Sequence, residues 1–352
     1  MILKELSEAF GVSGHEEAVR QIIFDAVRDD VDEYEVDSIG NLITLRRGSA
    51  QARKHGTSGA PLKVMVAAHM DEVGLMITHI EDNGQLRFAK VGGIDDRILL
   101  AKAVYVGDKK VPGVIGVKPI HLQERKERNQ VIKCDKMTID IGATSKAEAE
   151  QMVGIGDYVA FATSFADLGP TLKGKAFDDR AGCAVLVEII KGGPYPCDLY
   201  GVFTVQEEVG LRGARVAAYA IEPDVAFVLE GTICDDMPKK KDVSPTTELG
   251  KGPAITVMDR SFIADRRLVQ LLVDTATELG IPYQFKQPLM GGTDAGAIHK
   301  TKMGVPSAVV SVPSRYIHSP VCLLSKSDFE NAVRLMQETL RRLTPATIGK
   351  NE

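Results

Sequence analysis

Tryptophan is absent from this chain and aromatic residues make up only 5% of it, so there is little from which to build the stacking platforms that sugar-binding clefts use. Basic charge is not in excess either. Against 48 Asp and Glu stand 43 Lys and Arg, a formal net charge of −5, and no Lys/Arg stripe interleaved with aromatics appears, which argues against a nucleic-acid partner. The one basic stretch, Lys118 to Lys136, is mixed with Glu124, Glu127 and Asp135 and reads as a solvated loop or hairpin. No apolar run approaches the roughly 20 residues of a membrane span. The first residues, Met1 to Glu8, carry the acids of an amphipathic helix start rather than the pattern of a signal peptide. The five cysteines are odd in number, scattered and form no CxxC, which suits reduced thiols in a cytoplasmic protein and excludes a disulfide framework or a thiolate zinc site. Any metal would have to be held by imidazole and carboxylate. What is present is ordinary for a soluble globular protein: 352 residues, 44% hydrophobic and 26% charged, long for one domain and comfortable for two.

Residues 1 to about 35 read as two helices broken at Gly11-Val12-Ser13-Gly14, followed by a turn at Asp37 to Asn41, a strand at Leu42 to Leu45 and a polar surface loop over Ser49 to Ala60. From about Leu75 to Phe165 the texture changes to short β-rich runs between Gly, Asp and Asn turns: Leu86 to Val91, Lys102 to Val106, Val114 to Val117, Thr138 to Ile141 and Tyr158 to Phe161, with one helical stretch at Lys146 to Met152. That is the pattern of a small β-barrel or sandwich. After Leu172 strands and helices alternate again: helix Ala181 to Lys191, strand Leu199 to Thr204, helix Leu211 to Ala220, strand Val225 to Leu229, helix Asp265 to Leu279, strand Ser307 to Ser311 and helix Lys326 to Leu343. The economical reading is one α/β domain, split in sequence over 1–73 and 167–352, with a small β domain inserted at 74–166.

The chemistry gathers at the ends of apolar runs. Val64-Met65-Val66-Ala67-Ala68 reads as a buried strand and leads into His69-Met70-Asp71, whose histidine and aspartate, two apart, share a face at the end where open α/β sheets place ligands. A histidine near an aspartate is by itself an ordinary polar contact; in a metal site the same pair is a ligand with the carboxylate that orients it. Later runs repeat the design. Gly201 to Val205 leads to Gln206-Glu207-Glu208, Val225 to Leu229 to Glu230, and Ser307 to Ser311 to a loop carrying His318. Adjacent glutamates on an extended chain face opposite sides, so one could bind metal while the other faces substrate. Asp178 and Asp179 stand at a helix start, where two acids also serve as caps. Taken together the set resolves into two divalent-metal sites sharing a carboxylate, with one histidine per metal; the donors suit zinc, cobalt or manganese without choosing among them. Two such ions bring +4, and three carboxylates with a bridging hydroxide bring −4, the near-neutrality that burial demands.

These residues resemble the cytoplasmic dinuclear-metal aminopeptidases of the glutamyl/deblocking (tetrahedral, TET-type) family, some of whose members carry the label endoglucanase or cellulase. The resemblance spans nearly the whole chain: Gly11-Val12-Ser13-Gly14-His15-Glu16, Ala68 to Gly74, Val91-Gly92-Gly93-Ile94-Asp95, Phe177-Asp178-Asp179-Arg180, Gln206 to Gly210, Gly291-Gly292-Thr293-Asp294-Ala295 and Tyr316-Ile317-His318-Ser319-Pro320. It implies a metallopeptidase domain with a mixed central sheet flanked by helices and an inserted small β-barrel, PDZ-like domain. It also implies a cytoplasmic homo-oligomer, a hollow dodecamer, acting on short peptides. Position by position it makes His69 a ligand of the first metal, Asp71 its orienter in the catalytic set, Asp178 the bridging ligand and Asp179 structural. Glu208 becomes a ligand of the second metal, Glu207 the general base that activates a metal-bridged hydroxide, and His318 the ligand that completes the second metal. Glu230 falls where many relatives carry aspartate as the third carboxylate on the first metal; being one methylene longer, it leaves Asp235 and Asp236 as alternatives. The Gly291-Gly292-Thr293-Asp294 loop is expected to line the substrate pocket, although its composition also suits a helix-capping turn.

Two other functions compete. A glycan endohydrolase normally uses two carboxylates flanking the bond and no dinuclear metal site. A non-catalytic assembly protein stabilised by metal would be expected to have lost the base or a ligand, and here every such position holds a competent residue.

Overall fold

The computed structural model describes residues 2–49, 61–237, 247–286 and 291–350. The expected surface loop at Ser49 to Ala60 lies, except for Ser49, outside the described residues.

Two sheets organise the chain. The larger is an eleven-stranded mixed sheet. At its centre Asp198–Thr204, Lys63–His69, Val225–Cys234 and Ser307–Arg315 lie side by side and parallel. Strand Lys63–His69 shows why the centre must be covered on both faces: Val64, Val66 and Ala68 enter one apolar core, Met65 and Ala67 another. Helices Phe177–Lys191 and Lys326–Arg342 supply the first core, and helices Arg212–Ile221 and Ala295–Ile298 the second. Antiparallel strands extend the sheet, with Glu33–Val36 and Leu42–Arg46 on one side and Cys322–Ser325, Thr171–Gly174 and Ala166–Asp167 on the other, and Ala254–Thr256 with Gln284–Phe285 branches from Ser307–Arg315 to complete the eleven.

The second sheet closes into a barrel of strands Gly74–Ile80, Leu86–Val91, Ala103–Val106, Val111–Ile115, Ile139–Asp140 and Tyr158–Phe161 around its own apolar core. Its first strand starts five residues after His69 on the same chain, so the barrel hangs directly from the strand that carries the histidine. Among the described residues no helix is long and apolar enough to cross a membrane, and all five cysteines are free.

Several sequence expectations shift in ways that matter. Val225–Cys234 runs past Glu230, so that acid sits inside a strand rather than after one; its backbone stays in register with Ser307–Arg315, which likewise extends beyond Ser311. The second N-terminal helix ends at Val27, and Glu33–Val36 is a strand whose residues are all exposed, so it carries no apolar signal.

Candidate metal centre

The parallel strands all end on one side of the sheet, and the site forms there. His69 is the last residue of its strand and is buried. Its Nδ1 lies 3.1 Å from the Asp71 carbonyl oxygen and 3.3 Å from Asp71 Oδ1. Those acceptors fix the Nδ1–H tautomer and leave Nε2 free to act as a donor of electrons. Across the site His318 repeats the arrangement, with Nδ1 2.9 Å from the Gly93 carbonyl oxygen of the barrel. The two remaining ring nitrogens, both Nε2, face opposite oxygens of one carboxylate: His69 Nε2 is 3.3 Å from Asp178 Oδ1, and His318 Nε2 is 3.3 Å from Asp178 Oδ2. Glu230 Oε2 stands 3.7 Å from His69 Nε2, and Glu208 Oε1 3.5 Å from His318 Nε2.

Backbone geometry explains how Asp178 reaches the middle. Asp178 and Asp179 adopt non-helical φ/ψ at the head of their helix, and the peptide between them is cis. The two acids have different partners. Asp179 Oδ1 accepts from the Gly182 N–H at 2.9 Å, capping the helix, and Oδ2 accepts from the His69 N–H at 3.2 Å. Asp178 turns toward the histidines. A Cβ on Gly231 would stand 2.7 Å from Asp178 Cα, so that glycine is required for the close approach. Two groups of side chains have ligand atoms within 4.8 Å of one another: His69, Asp179 and Glu230; and Asp178, Glu208 and His318.

Asp71 ties the pieces together. Fully buried, it accepts from Ser13 Oγ at 2.6 Å, from the Glu207 N–H at 3.0 Å and from the Glu208 N–H at 3.1 Å. One carboxylate therefore fixes both the imidazole of His69 and the turn bearing the adjacent glutamates. That turn differs from the extended chain expected. Strand Asp198–Thr204 has already ended, Gln206 has a positive φ of 56°, and the Gly210 N–H donates to the Glu207 carbonyl. Both side chains consequently face the same cavity, of about 600 Å³. Buried Glu16, part of the Gly11 to Glu16 motif but given no role by the sequence, holds the turn by accepting hydrogen bonds from the Gly14 and Gln206 N–H groups, and burial pushes its carboxyl up to about 7.

The site is crowded with acid. Burial raises the pKa of Glu208 to about 7 and that of Glu230 and Glu207 well above the carboxylate range, with neighbouring carboxylates adding to each. Burial opposes charge on Asp178 too, but His318 and His69 hold it ionised and well below its usual value. Burial also works against charge on the histidines, yet contact with Asp178 carries His318 to about 10, and Asp178 with Asp71 carries His69 well above normal. Glu230 Oε1 is buried with no hydrogen-bond partner.

Of the three acids weighed for the third carboxylate position, Glu230 stands beside His69, whereas Asp236 is paired with Arg315 at 2.6 and 2.7 Å. Asp235 is not among the residues lining the cavity. Gly291, Gly292 and Thr293 line it, but Asp294 does not. Its buried carboxyl accepts from Thr204 Oγ1 at 2.5 Å, behind the wall, because the short helix beginning at Ala295 turns it toward the sheet.

Sequence reasoning missed the support beneath the centre. Buried Glu72 takes Lys175 Nζ on both oxygens, at 2.6 and 2.8 Å, and Arg180 Nη2 at 3.4 Å. Lys175 also donates to the Ala9 carbonyl, and Arg180 to those of Met70, Leu6 and Gly11. Only the place of Glu72 and Arg180 beside Asp71 and Asp179 hinted at this.

Imidazole and carboxylate donors that converge at the strand ends of an α/β sheet are a donor set that could hold metal ions, the kind of set metal-dependent hydrolases use. The comparisons are more specific. The sequence profile of the M42 glutamyl aminopeptidase family matches residues 48–335, and the chain belongs to that family. It is 42% identical over 340 residues to a putative aminopeptidase of Acetivibrio thermocellus, covering 96% of this chain and 97% of that one. Among solved structures, the TET aminopeptidase from a marine sediment Thaumarchaeota archaeon superposes with a TM-score of 0.91 at 40% identity, covering 99% of this chain and 98% of its own. The Pyrococcus horikoshii TET1 peptidase, which can assemble into a tetrahedron or a large octahedral shell, superposes with a TM-score of 0.84 at 38% identity over 97% of this chain and 99% of that one.

Proposed function

We propose that this chain is a dinuclear-metal aminopeptidase that removes N-terminal residues from short peptides. The observation that carries the reading is the pair of histidines, each tied through Nδ1 to a carbonyl, whose Nε2 atoms face opposite oxygens of Asp178. His69 and Glu230 would hold one divalent ion and Glu208 and His318 the other, with Asp178, which faces both histidines, available to each. The residues fit such a pair of cations. Three buried carboxylates at close quarters are costly without positive charge, and the unpartnered Glu230 Oε1 lacks an electrophile. Zinc, cobalt and manganese all suit this donor set.

When bound, the ions supply acidity to a water at neutral pH and polarise the scissile carbonyl. The remaining work belongs to side chains. Glu207 lines the cavity, and its carboxyl accepts no hydrogen bond from the described residues, so it is free to take the proton of the attacking water and deliver it to the leaving amine. Burial and the negative charge of Asp294 and Glu208 raise its proton affinity, which suits a group that must hold a proton between those two steps. Asp71 keeps His69 in the productive tautomer and orients the Glu207-Glu208 turn through the two backbone N–H groups that donate to its carboxylate. Gly291, Gly292 and Thr293 form the substrate-facing wall.

The chain works as a homo-oligomer, a dodecamer of the tetrahedral type. Its kinship with the TET1 peptidase supports this, as does exposed apolar surface at Val114, Val117, Ile120 and Leu122 in and beside the barrel. The activity is tested by presenting aminoacyl-p-nitroanilides and carboxymethylcellulose to metal-replete and chelator-treated protein. Chelator-sensitive cleavage of the anilides alone is expected; hydrolysis of the cellulose derivative, or of neither, overturns the reading.

A further inference from the structure

Strand Asp198–Thr204 keeps its pairing with Leu42–Arg46 as far as Phe203 and with Lys63–His69 as far as Thr204. Beyond it, four successive N–H groups are received by side chains instead of a neighbouring strand. Val205 donates to Asn41 Oδ1 at 3.0 Å, Gln206 to Glu16 Oε1 at 3.1 Å, Glu207 to Asp71 Oδ1 at 3.0 Å and Glu208 to Asp71 Oδ2 at 3.1 Å. Three side chains therefore dictate the path of the segment that carries both glutamates.

Glu16 acts on the most demanding of these residues. Gln206 has a φ of 56°, a left-handed conformation that a residue with a Cβ keeps only when its surroundings impose it. The same Oε1 also accepts from the Gly14 N–H at 2.7 Å, so one oxygen clamps Gln206 to the segment Gly11 to Glu16. That segment is anchored in turn. The Gly11 carbonyl accepts from the Glu72 N–H at 3.0 Å, the Ser13 N–H donates to the Glu72 carbonyl at 3.3 Å, and Ser13 Oγ donates to Asp71 at 2.6 Å. Glu16 itself is only 3% exposed and is not among the residues lining the cavity, so its influence on the site passes through the turn. A carboxyl accepts an N–H through its carbonyl oxygen whether charged or neutral, so the clamp does not require the anion.

We infer that Glu16 is a positioning residue for the reaction: by holding Gln206 in its left-handed conformation it aims Glu207 into the cavity, and what it supplies is reach rather than charge. The inference rests on the reading of Glu207 as the base of an aminopeptidase. Two substitutions separate reach from charge. Glu16→Asp keeps the carboxylate but is one methylene shorter, so one oxygen no longer spans Gly14 and Gln206. Glu16→Gln keeps the length and an acceptor oxygen and removes the charge.

The test compares the metal-replete protein with these two variants. Measured are kcat and KM on a panel of aminoacyl-p-nitroanilides, bound metal, and amide hydrogen exchange of the peptide that spans residues 203–210. A displacement of about 1 Å can cost a reacting group about 10² in rate, so Glu16→Asp is expected to lower kcat by about 10 to 10² while KM and bound metal stay as in the wild type. Faster exchange confined to residues 205–208 should accompany that loss. Glu16→Gln is expected to keep most of kcat and the slow exchange. Wild-type kcat in Glu16→Asp overturns the inference, as does a loss in Glu16→Gln with Glu16→Asp spared, which would assign the role to charge. A fall in kcat matched by lost metal, or exchange quickened across the whole sheet, overturns it too, since a merely structural residue would give that result. If the wild type cleaves no anilide, the reading of Glu207 as base fails separately; unchanged exchange in Glu16→Asp would then overturn the clamp, and faster exchange at 205–208 would support it.

Discussion

Asp71 lies outside the cavity, yet it holds both the imidazole of His69 and the N–H groups of Glu207 and Glu208. Adjacent glutamates hung from one carboxylate can then have separate jobs, and their amides should fail differently. Glu207→Gln keeps size and shape but removes the base, so kcat should fall by ~10² to 10⁴ with both ions still bound. Glu208→Gln should instead lower metal occupancy, with added metal restoring part of the rate. Metal content and kcat of the two variants decide; metal loss in the first with full retention in the second would reverse the assignment. At this scale the sequence was informative wherever an acid or histidine followed a buried apolar run, as at His69, Glu207 and Glu208. Residue pattern alone could not separate Asp178 from Asp179, and only the family resemblance gave them different roles, because both acids suit a helix start and their divergence depends on non-helical backbone angles that no residue pattern encodes. Nor could it show that Asp294 turns behind the cavity wall to Thr204.

Buried charge holds the elements beneath the centre in place. Glu72 follows the His69 strand, Lys175 follows strand Thr171–Gly174, and Arg180 lies in helix Phe177–Lys191, so one carboxylate joins three segments. Glu72→Gln leaves two buried cations without their anion and should cost about 3–5 kcal/mol of stability. Urea unfolding of the metal-replete protein checks this, and a loss within about 1 kcal/mol, the scale of an exposed pair, would show that the carbonyls alone satisfy Lys175 and Arg180. The helices and central strands were legible through their apolar spacing; the helix expected at Lys146 to Met152 has those bounds. Glu33–Val36 was not, since a wholly exposed strand has no hydrophobic period, and Val225–Cys234 was cut short because a buried acid, Glu230, interrupts its apolar run. Pairings between segments distant in sequence, such as Glu72 with Lys175, leave no local signature at all.

For the whole molecule, the change of texture after Leu75 announced the second sheet, and the barrel does more than hang from the first. Its Gly93 carbonyl accepts from His318, so each half of the molecule contributes to the orientation of one histidine. Light scattering of metal-replete protein should find a particle near twelve protomers, or a dimer when metal is scarce; a monomer with metal present would contradict the proposed assembly. The central claim, that the centre acts as a pair of divalent sites, is tested most directly by titrating metal into chelator-stripped protein while following both bound metal and aminoacyl-p-nitroanilide hydrolysis. The account predicts no hydrolysis before metal is added and full activity at two ions per chain, with the Asp178→Asn variant impaired at both sites. Full activity in the stripped protein, or saturation at one ion per chain, would contradict it.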